Sequence, residues 1–487
     1  MQPFRARRTT VLAVVAVVLA ALAAIPERAA AAPPGPRTVI VQLFQWKWTD
    51  VARECTRTLG PKGYGGVQIS PPQEHVVLPA DSYPWWQQYQ PISYRLEGRL
   101  GTRGQLAAMV GTCHLAGVKI YADAVLNHMA GADRSGTGSA GSPFSPYTYP
   151  GLYGRQDFHH CGRNGNDDIQ NWNDAWEIRN CELVNLSDLD TGAAWVRQRL
   201  TAYLDDLMSL GVDGFRIDAA KHVDPADLAA ILGATKRRPY VYQEVFSHPG
   251  DAVPTSDYTG IGDVNEFSYG ETLGAAFRAG NLASLSTLGN APGWVPAAKA
   301  VVFTDNHDTQ RGNGVLTHQD GQLYVLGNVF ELAYPFGTPV VMSSYAFTNR
   351  DAGPPSDGGD TTRDVTCGSG GWVCEHAWRP IANMVGFRNA TAGTALRDWW
   401  SNGNDQVAFG RGSRGYVVVN RGGATLSRTF RTALPPGTYC DVVHGDVRNG
   451  ACTGPAVTVD AAGWLTATVG AMDALAVHAG SRVGARR

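Results

Sequence analysis

The chain has 487 residues, and its 41 Lys and Arg residues nearly balance its 43 Asp and Glu residues, which leaves a formal net charge of −2. A nucleic-acid partner is not expected, because proteins that bind polyanions carry a basic excess. Hydrophobic residues make up 44% of the chain and charged residues only 17%, so most of the chain is expected to fold, and its length predicts two to four folding units.

Residues 1–32 have the organisation of a secretory signal peptide. Basic residues, among them Arg5 and Arg8, precede the apolar run Val11–Ile25, and small residues then lead to Pro33. A membrane anchor is the alternative, but the run is shorter than the ~20 residues that span a bilayer. We therefore expect a secreted, extracellular chain that has no membrane contact once the signal peptide is cleaved.

The cysteines fit that compartment. They are Cys55, Cys113, Cys161, Cys181, Cys367, Cys374, Cys440 and Cys452. An even number of cysteines in an oxidising compartment predicts disulfides, and the C-x-x-C spacing typical of metal sites does not occur. Local pairing would join Cys367 with Cys374 and Cys440 with Cys452, but the sequence proves no pairing.

Short apolar runs that end in polar, ionisable or aromatic residues follow one another along the chain. They are Val39–Trp46, Gly66–Ser70, Val118–His128, Val212–His222, Tyr240–Phe246, Asp263–Phe267, Ala300–Asp308 and Pro339–Tyr345. Segments with helical periodicity lie between several of them, at Leu106–Ala116, Ala193–Leu210 and Leu323–Leu332. This alternation predicts an α/β fold, a (β/α)8 TIM barrel with its chemistry at the carboxyl ends of the strands. A doubly wound open sheet is the alternative, but no G-x-G-x-x-G motif follows an early strand.

Two further changes along the chain predict additional domains. The interval from Met129 to Asp190 is rich in Gly, Ser, Asn and aromatic residues, and it is too long for a structureless loop in a compact domain. After about Thr394 helical periodicity disappears, and short strand-like runs predict an all-β sandwich. We expect a signal peptide at 1–32, the barrel at 33–128 and 188–394, a small inserted domain after strand 3 at 129–187, and a C-terminal β-sandwich domain at 395–487.

Three carboxylates stand at the ends of predicted barrel strands. Asp218 follows Arg216 by two residues, so the guanidinium is expected to lie beside the carboxylate and keep it ionised, as a nucleophile requires. Glu244 follows apolar and aromatic residues that would keep it protonated, as a general acid requires. Asp308 ends another run, beside His307. Singly, each carboxylate is more often a salt-bridge or capping partner, but together they predict glycoside hydrolysis, with retention if the reacting pair is roughly 5 Å apart.

Aromatic residues in the loop after the second strand are candidates for sugar binding. Trp85, Trp86 and Tyr89 lie in a segment that also contains Pro and Gln. Sugar rings stack on aromatic side chains, whereas paired Trp residues can also simply fill a core. The polar composition of the loop favours exposure at the active end of the barrel.

Asn127, Asp188 and His222 lie at the borders of the predicted insertion and at a strand end. Carboxylate, amide and backbone oxygens are the ligands that calcium uses. Ordinary hydrogen bonding at the ends of strands and helices is the alternative, because no fixed loop spacing is involved.

Four segments together resemble the α-amylases of glycoside hydrolase family 13, of the type that groups animal enzymes with those of some bacteria. They are Asp123–His128, Gly214–His222, Gln243–Val245 and Phe303–Asp308, and they occur in the family's order. Further similarity lies in Trp85-Trp86, Met342–Tyr345, Asn404–Arg411 and Gly437–Val442. The resemblance therefore covers essentially the whole chain after the signal peptide.

The resemblance implies internal cleavage of starch, glycogen and maltooligosaccharides, with retention, by a secreted monomer. Asp218 would be the nucleophile, Glu244 the acid/base and Asp308 the third carboxylate, which binds and distorts the sugar. The residues implied to contact or orient substrate are Trp85, Trp86, Tyr89, Gln90, His128, Arg216, Lys221, His222 and His307. Asp123 would support Arg216. A family member that releases one short maltooligosaccharide or transfers glucosyl units is an alternative, as is a noncatalytic starch-binding protein that kept the fold, although the three carboxylates argue against the latter.

The resemblance also implies a structural calcium ion and a full set of disulfides. Asn127, Asp188 and the backbone carbonyls of Arg179 and His222 would hold the calcium ion. The disulfides implied besides the two local pairs join Cys55 to Cys113 and Cys161 to Cys181.

Two features depart from the family pattern. Animal members bind an activating chloride through two arginines and an asparagine; Arg216 and Asn306 match two of these, but Ala346 replaces the expected second arginine. One positive charge makes a poor anion site, so we expect activity that does not depend on chloride. The loop after Asp308, residues 309–316, is shorter and has fewer glycines than the family's mobile loop, which leaves its role in clamping substrate open.

Overall fold

The computed structural model describes residues 36–484, apart from residues 164 and 313. The predicted signal peptide therefore lies outside the described residues. Within that described part of the chain, no helix is both long enough and apolar enough to cross a membrane.

A closed barrel of parallel strands forms the centre of the molecule. Its strands are β1 (Ile40–Leu43), β2 (Gly66–Ile69), β3 (Lys119–Val125), β4 (Gly214–Asp218), β5 (Tyr240–Gln243), β6 (Asp263–Asn265), β7 (Ala300–Val302) and β8 (Thr338–Ser343). Each strand pairs with the next along the chain, and β1 pairs with β8, with Ile40 opposite Val340. Every predicted apolar run overlaps one of these strands, so the predicted barrel is confirmed.

Helices cover the outside of the barrel. They are α1 (Trp48–Glu54), α2 (Arg103–Leu115), α3 (Ala194–Ser209), α4 (Pro225–Gly233), α5 (Phe267–Ala279), α6 (Gln322–Ala333) and α7 (Arg379–Ala390). Thr102 starts α2 with a capping box, in which its side chain accepts a hydrogen bond from the backbone N–H of Gln105. The three helices predicted from periodicity are α2, α3 and α6. Gly270 in α5 allows close packing, because a Cβ there would lie 2.8 Å from the carbonyl oxygen of Phe303.

The segment between β3 and β4 folds as an insertion beside the carboxyl ends of the strands. His128–Gly131 pairs antiparallel with Leu186–Asp188, and Gly136–Thr137 pairs with Pro143–Phe144. A short helix, Ala175–Asn180, follows Pro143–Phe144 in the sequence and precedes Leu186–Asp188. The insertion after strand 3 is as expected, while its predicted limits stay predictions, because the described chain packs as one compact unit.

The C-terminal part is an all-β sandwich, as predicted. Its strands are β9 (Leu396–Ser401), β10 (Gln406–Arg411), β11 (Gly415–Asn420), β12 (Leu426–Arg431), β13 (Gly437–Cys440), β14 (Ala456–Val459), β15 (Trp464–Val469), β16 (Asp473–His478) and β17 (Arg482–Val483). One sheet has the order β9-β10-β11-β16 and the other β12-β15-β14-β13-β17. Residues such as Val418, Phe430 and Leu465 fill the core between them. Strands β9, β15 and β17 were not predicted from the sequence.

All the cysteines are paired. The disulfides are Cys55–Cys113, Cys161–Cys181, Cys367–Cys374 and Cys440–Cys452. The two local pairs and the two pairs implied by the resemblance are therefore confirmed. The first ties the chain after α1 to α2, and the second closes a loop within the insertion.

Candidate active site

The strand ends bring the three predicted carboxylates to one open cleft. Asp218 ends β4, Glu244 directly follows β5, and Asp308 lies in the segment after β7. The cleft has a volume of about 880 Å³. The predicted residues that line it are Trp85, Trp86, Tyr89, His128, Asp218, Lys221, His222, Glu244, His307 and Asp308. The predicted catalytic and substrate-binding residues thus largely share one cavity.

Arg216 lies beneath the cleft and joins three of the carboxyls. Its Nη1 donates to Asp123 Oδ1 at 2.7 Å and to Asp218 Oδ1 at 2.5 Å, and its Nη2 lies 3.0 Å from Glu244 Oε2. Arg216 and Asp123 are register partners on β4 and β3, which explains why they meet. The hydroxyl of Tyr89 donates to the other oxygen of Asp123 at 2.9 Å. The guanidinium is therefore fixed in a direction that lets it reach both predicted reacting groups.

The carboxyls in this cluster hold protons more tightly than free carboxyls do. Burial raises the pKa of Asp123 to about 7, although Arg216 opposes the shift. Burial also raises the pKa of Asp218 and of Glu244, again against Arg216. Burial and the nearby charge of Glu244 raise the pKa of Asp308, even though 42% of its side chain is open to the cleft. We expected Arg216 to keep Asp218 ionised; the contact is present, but desolvation outweighs it.

The turn after Asp218 is built to contact Glu244. Ala219 has a φ of 48°, a left-handed conformation that is strained for a residue with a side chain. Its backbone N–H donates to Glu244 Oε2 at 2.8 Å. The backbone N–H of Glu244 in turn donates to the carbonyl of Ile217 at 3.0 Å. Both donors that reach the Glu244 carboxyl, Arg216 and Ala219, go to Oε2, so the proton of a neutral Glu244 belongs on Oε1.

His307 is held on all sides. Its ring stacks between Phe44, at 4.9 Å, and Tyr89, at 5.1 Å. Gln42 Nε2 lies 2.9 Å from Nδ1, and Nε2 lies 3.2 Å from Asp308 Oδ2. Burial lowers the pKa of His307 well below its usual range, so the ring is neutral. An amide donor at Nδ1 leaves the proton on Nε2, the nitrogen that lies 3.2 Å from Asp308 Oδ2.

The remaining polar residues of the cleft are also fixed by backbone groups. His128 Nε2 donates to the carbonyl of Tyr89 at 2.9 Å, and His222 Nδ1 donates to the carbonyl of Ile178 at 2.9 Å. Burial lowers the pKa of each of these two histidines to about 4. Lys221 Nζ donates to the carbonyl of Phe246 at 2.6 Å. The histidines therefore enter the cleft neutral.

The aromatic residues form one wall of the cleft. Trp85 and Trp86 are half-buried and line the cavity, whereas only 7% of Tyr89 is exposed. The Trp85 ring packs edge-on against Tyr89 and His307. Gln90 does not line the main cleft but an adjoining pocket of about 340 Å³ that it shares with Trp86. Tyr89 therefore supports the Trp85 ring as well as lining the cleft as a candidate for sugar stacking.

Three exposed apolar residues of the cleft were not predicted from the sequence. Trp172, Val184 and Phe246 line the cleft and are 48%, 74% and 49% exposed. Trp172 stands in a polar stretch of the insertion, which is the same signal that identified Trp85. Phe246 directly follows the segment that carries Glu244, but its outward direction could not be read from the sequence.

The predicted calcium ligands offer a suitable set of oxygens. Asp188 is buried; its Oδ2 accepts from His159 Nδ1 at 2.7 Å, and its Oδ1 has no hydrogen-bond partner among the described residues. Burial raises the pKa of Asp188 to about 6. The bond from His222 to Ile178 brings the chain at His222 against the chain next to Arg179. No cluster of three His, Cys, Asp or Glu side chains in the described ranges is arranged for a metal, so an ion here would depend on amide and carbonyl oxygens, as in the predicted set.

The structure corrects the reason for expecting no chloride site. A cavity of about 10 Å³ lies beside Arg216 and Asn306, and Val340 lines it. Ala346 is not part of that lining; its backbone N–H donates to Gly371 at 2.7 Å. Val340, and not Ala346, is therefore among the residues that line the cavity with Arg216 and Asn306. Neither Val340 nor Ala346 carries a charge. Activity that does not depend on chloride stays a prediction.

A closed (β/α)8 barrel with three carboxyls at its strand ends, under a cleft walled by aromatic side chains, defines a glycoside hydrolase of the barrel type. A model of the α-amylase catalytic domain matches residues 79–242, and a model of the α-amylase C-terminal all-β domain matches residues 399–480. The chain is 51% identical over 462 residues to an α-amylase of Thermomonospora curvata, covering 92% of this chain and 74% of that protein. It is 44% identical over 473 residues to an α-amylase of Tribolium castaneum, covering 92% and 95%.

A solved structure gives the same result. The wild-type α-amylase I of Eisenia fetida superposes with a TM-score of 0.87 at 41% identity, covering 92% of this chain and 98% of that one. A variant of that enzyme has been solved in complex with maltohexaose. The chain belongs to the α-amylase family, glycoside hydrolase family 13.

Proposed function

We propose that the protein hydrolyses internal α-1,4-glucosidic bonds in starch, glycogen and maltooligosaccharides and retains the anomeric configuration. The observation that carries this proposal is the guanidinium of Arg216, which bonds to Asp218 and lies 3.0 Å from Glu244. Two carboxyls that share one guanidinium are close together, as the roughly 5 Å separation of retaining glycosidases requires, whereas inverting enzymes need about 6.5–9.5 Å.

In the first step Glu244 protonates the glycosidic oxygen while Asp218 attacks the anomeric carbon. Burial raises the pKa of Glu244, which favours the protonated form that a general acid needs. Asp218 attacks as the carboxylate, and the 2.5 Å hydrogen bond from Arg216 Nη1 stabilises that ionised form. The result is a glycosyl ester on Asp218 and a free leaving-group sugar.

In the second step the same residues release the bound sugar. Glu244, now ionised, removes a proton from water, and the resulting hydroxide attacks the anomeric carbon from the face opposite Asp218. Glu244 regains its proton and Asp218 returns as a carboxylate. Asp308, whose Oδ2 lies 3.2 Å from His307 Nε2, would hold the sugar hydroxyls during both displacements.

The shape of the cleft supports attack within a chain. It is open to solvent, and Trp85, Trp86, Trp172 and Phe246 all line it. Neutral sugar rings stack on such surfaces, and the wall beside Lys221 and His222 would take the leaving-group side. The low charge of the chain suits a polysaccharide that carries no ionic groups.

We also propose a structural calcium ion at the junction of the insertion and the barrel. Asn127 and Asp188 would supply side-chain oxygens, and Arg179 and His222 would supply carbonyls. The unpartnered Asp188 Oδ1 supports this assignment, because a buried carboxylate oxygen without a donor is costly. Such an ion would hold the insertion against β3 and β4 and take no part in bond cleavage.

Secretion and a monomeric state complete the proposal. Four disulfides suit an extracellular protein, since a reducing cytosol disfavours them. The partners are then the glucans themselves, without nucleic acid or membrane. Gel filtration of the exported chain tests the monomer.

The test of the proposed activity follows starch viscosity against the appearance of reducing ends. Endo attack lowers viscosity steeply while few ends form, and product analysis separates this activity from release of one short product or from glucosyl transfer. Asp218→Asn is expected to lose activity by several orders of magnitude while it keeps the wild-type melting temperature. Substantial turnover by that variant would overturn the assignment of the nucleophile.

A further inference from the structure

Arg311 lies behind the cleft and holds three separate pieces of its wall. Its Nη1 donates to the carbonyl of His307 at 2.5 Å, its Nη2 to the hydroxyl of Tyr345 at 3.1 Å, and its Nε to the carbonyl of Arg350 at 3.0 Å. These acceptors belong to the segment after β7, the segment after β8 and the loop that follows it. A single side chain therefore spans all three.

Aromatic rings surround the same guanidinium. Its central carbon lies 5.3 Å from the ring centre of Phe44, 5.0 Å from Trp85, 5.6 Å from Tyr345 and 4.4 Å from Phe347. Arginine is attracted to ring faces at these distances, most strongly where water is excluded. The side chain is thus held by its aromatic neighbours as well as by its hydrogen bonds.

One carbonyl connects Arg311 to the substrate platform. Trp85 Nε1 also donates to the carbonyl of Arg350, at 3.0 Å. At its other end Arg311 holds the carbonyl of His307, whose ring lies 3.2 Å from the carboxylate of Asp308. A continuous chain of direct contacts therefore joins the indole of Trp85 to Asp308.

We propose that Arg311 is a positioning residue that couples Trp85 to Asp308. A sugar that stacks on Trp85 then also fixes Asp308, the carboxylate that binds the sugar at the point of cleavage. Arginine is required, because a planar fork with donors on several sides reaches three acceptors, whereas a lysine ammonium acts as a single point charge. The effect of Arg311 on kinetics rests on the proposed hydrolysis, but the structural coupling of Trp85 to Asp308 does not.

Hydrogen exchange in the full chain tests the coupling without reference to activity. Arg311→Gln is expected to raise amide exchange at least about tenfold in both segments 84–90 and 306–312, with other core segments unchanged. Trp85→Ala is expected to raise exchange in 306–312 when Arg311 is present and to raise it much less in the Arg311→Gln background, where only the direct packing of Trp85 on His307 connects the two segments. Arg311→Lys, which keeps the charge, covers the case in which the Gln variant does not fold, and it is expected to loosen the same two segments.

Kinetics on a maltooligosaccharide give the second readout. The combined Arg311→Gln and Trp85→Ala variant is expected to lose less in kcat/KM than the product of the single losses, by at least about threefold. Arg363→Gln removes an exposed arginine from the same loop region and is expected to match the wild type. If Trp85→Ala leaves exchange in 306–312 unchanged, or if the two losses multiply, the coupling is refuted. A wild type that hydrolyses no glucan would refute the proposed function and leave the exchange result to decide the coupling.

Discussion

The guanidinium of Arg216 reaches Glu244 from the neighbouring strand, with its Nη2 3.0 Å from Glu244 Oε2. The same side chain donates to Asp218 and Asp123, and only 2% of it is exposed. One buried cation therefore serves three carboxyls whose pKa values are all raised. The balance of charge in the site depends on this single residue.

Arg216→Gln is expected to lower kcat by at least about a hundredfold and the free energy of unfolding by about 3–5 kcal/mol, because it leaves buried carboxyls without their cation. Arg216→Lys keeps the charge but lacks the planar guanidinium, so its kcat and its free energy of unfolding are expected to lie between those of the wild type and of Arg216→Gln. Steady-state kinetics and urea unfolding measure both effects. A Gln variant with wild-type kcat would show that the cation is not needed.

Tyr89→Phe removes the hydroxyl that donates to Asp123 at 2.9 Å. The buried carboxylate then loses a donor, and the free energy of unfolding is expected to fall by about 1–3 kcal/mol. The matched control is Tyr439→Phe in the C-terminal domain, where the hydroxyl donates to the carbonyl of Pro435 at a partly exposed site. Equal losses in urea unfolding for the two variants would contradict a special role for the Tyr89 bond.

Calcium is expected to raise the melting temperature of the wild type, and chelation is expected to lower it, since an ion that binds only the folded state stabilises it. Asp188→Asn should remove most of this response. Asp190→Asn is the matched control, because Asp190 lies 3.3 Å from the other nitrogen of His159, the histidine that bonds Asp188. Thermal unfolding with and without calcium checks this, and an unchanged response in Asp188→Asn would exclude the proposed ligand.

His444 is expected to make stability depend on pH. Its hydrogen bonds to Asp441 at 2.6 Å and Asp473 at 3.1 Å raise the pKa of His444 to about 10. A folded pKa above the unfolded value of about 6.5 stabilises the protein fully below pH 6.5 and progressively less as pH rises towards 10. His444→Gln should therefore be less stable than the wild type in urea at pH 6, and the gap should close by about pH 10. A gap that stays constant over this range would rule out a charged His444.

The barrel and its carboxylates could be predicted because strand ends carry a local signal. Asp218, Glu244 and Asp308 each follow an apolar run, and parallel strands in a barrel must end at the same side. The C-terminal strand β15 was missed although its residues alternate between exposed and buried positions. Its buried face consists of Leu465, Ala467 and Val469, but the apolar Trp464 lies on the exposed face and obscures the alternation in the sequence.

Other parts of the site depend on relations between distant segments. The sequence places Arg216 beside Asp218, but not the burial that raises the pKa of that carboxyl. It also cannot show that Val340, from β8, lines a cavity with Arg216, because that depends on the register with which the barrel closes. The contacts of Arg311 join three loops and leave no pattern in the chain.

The central claim is retention through Asp218 and Glu244, and proton NMR of the first products tests it directly. Hydrolysis of a maltooligosaccharide is followed for the first minutes, before the released sugars equilibrate between anomers. Retention predicts that the new reducing ends appear as the α-anomer. Appearance of the β-anomer, which requires a single direct attack by water, would contradict it.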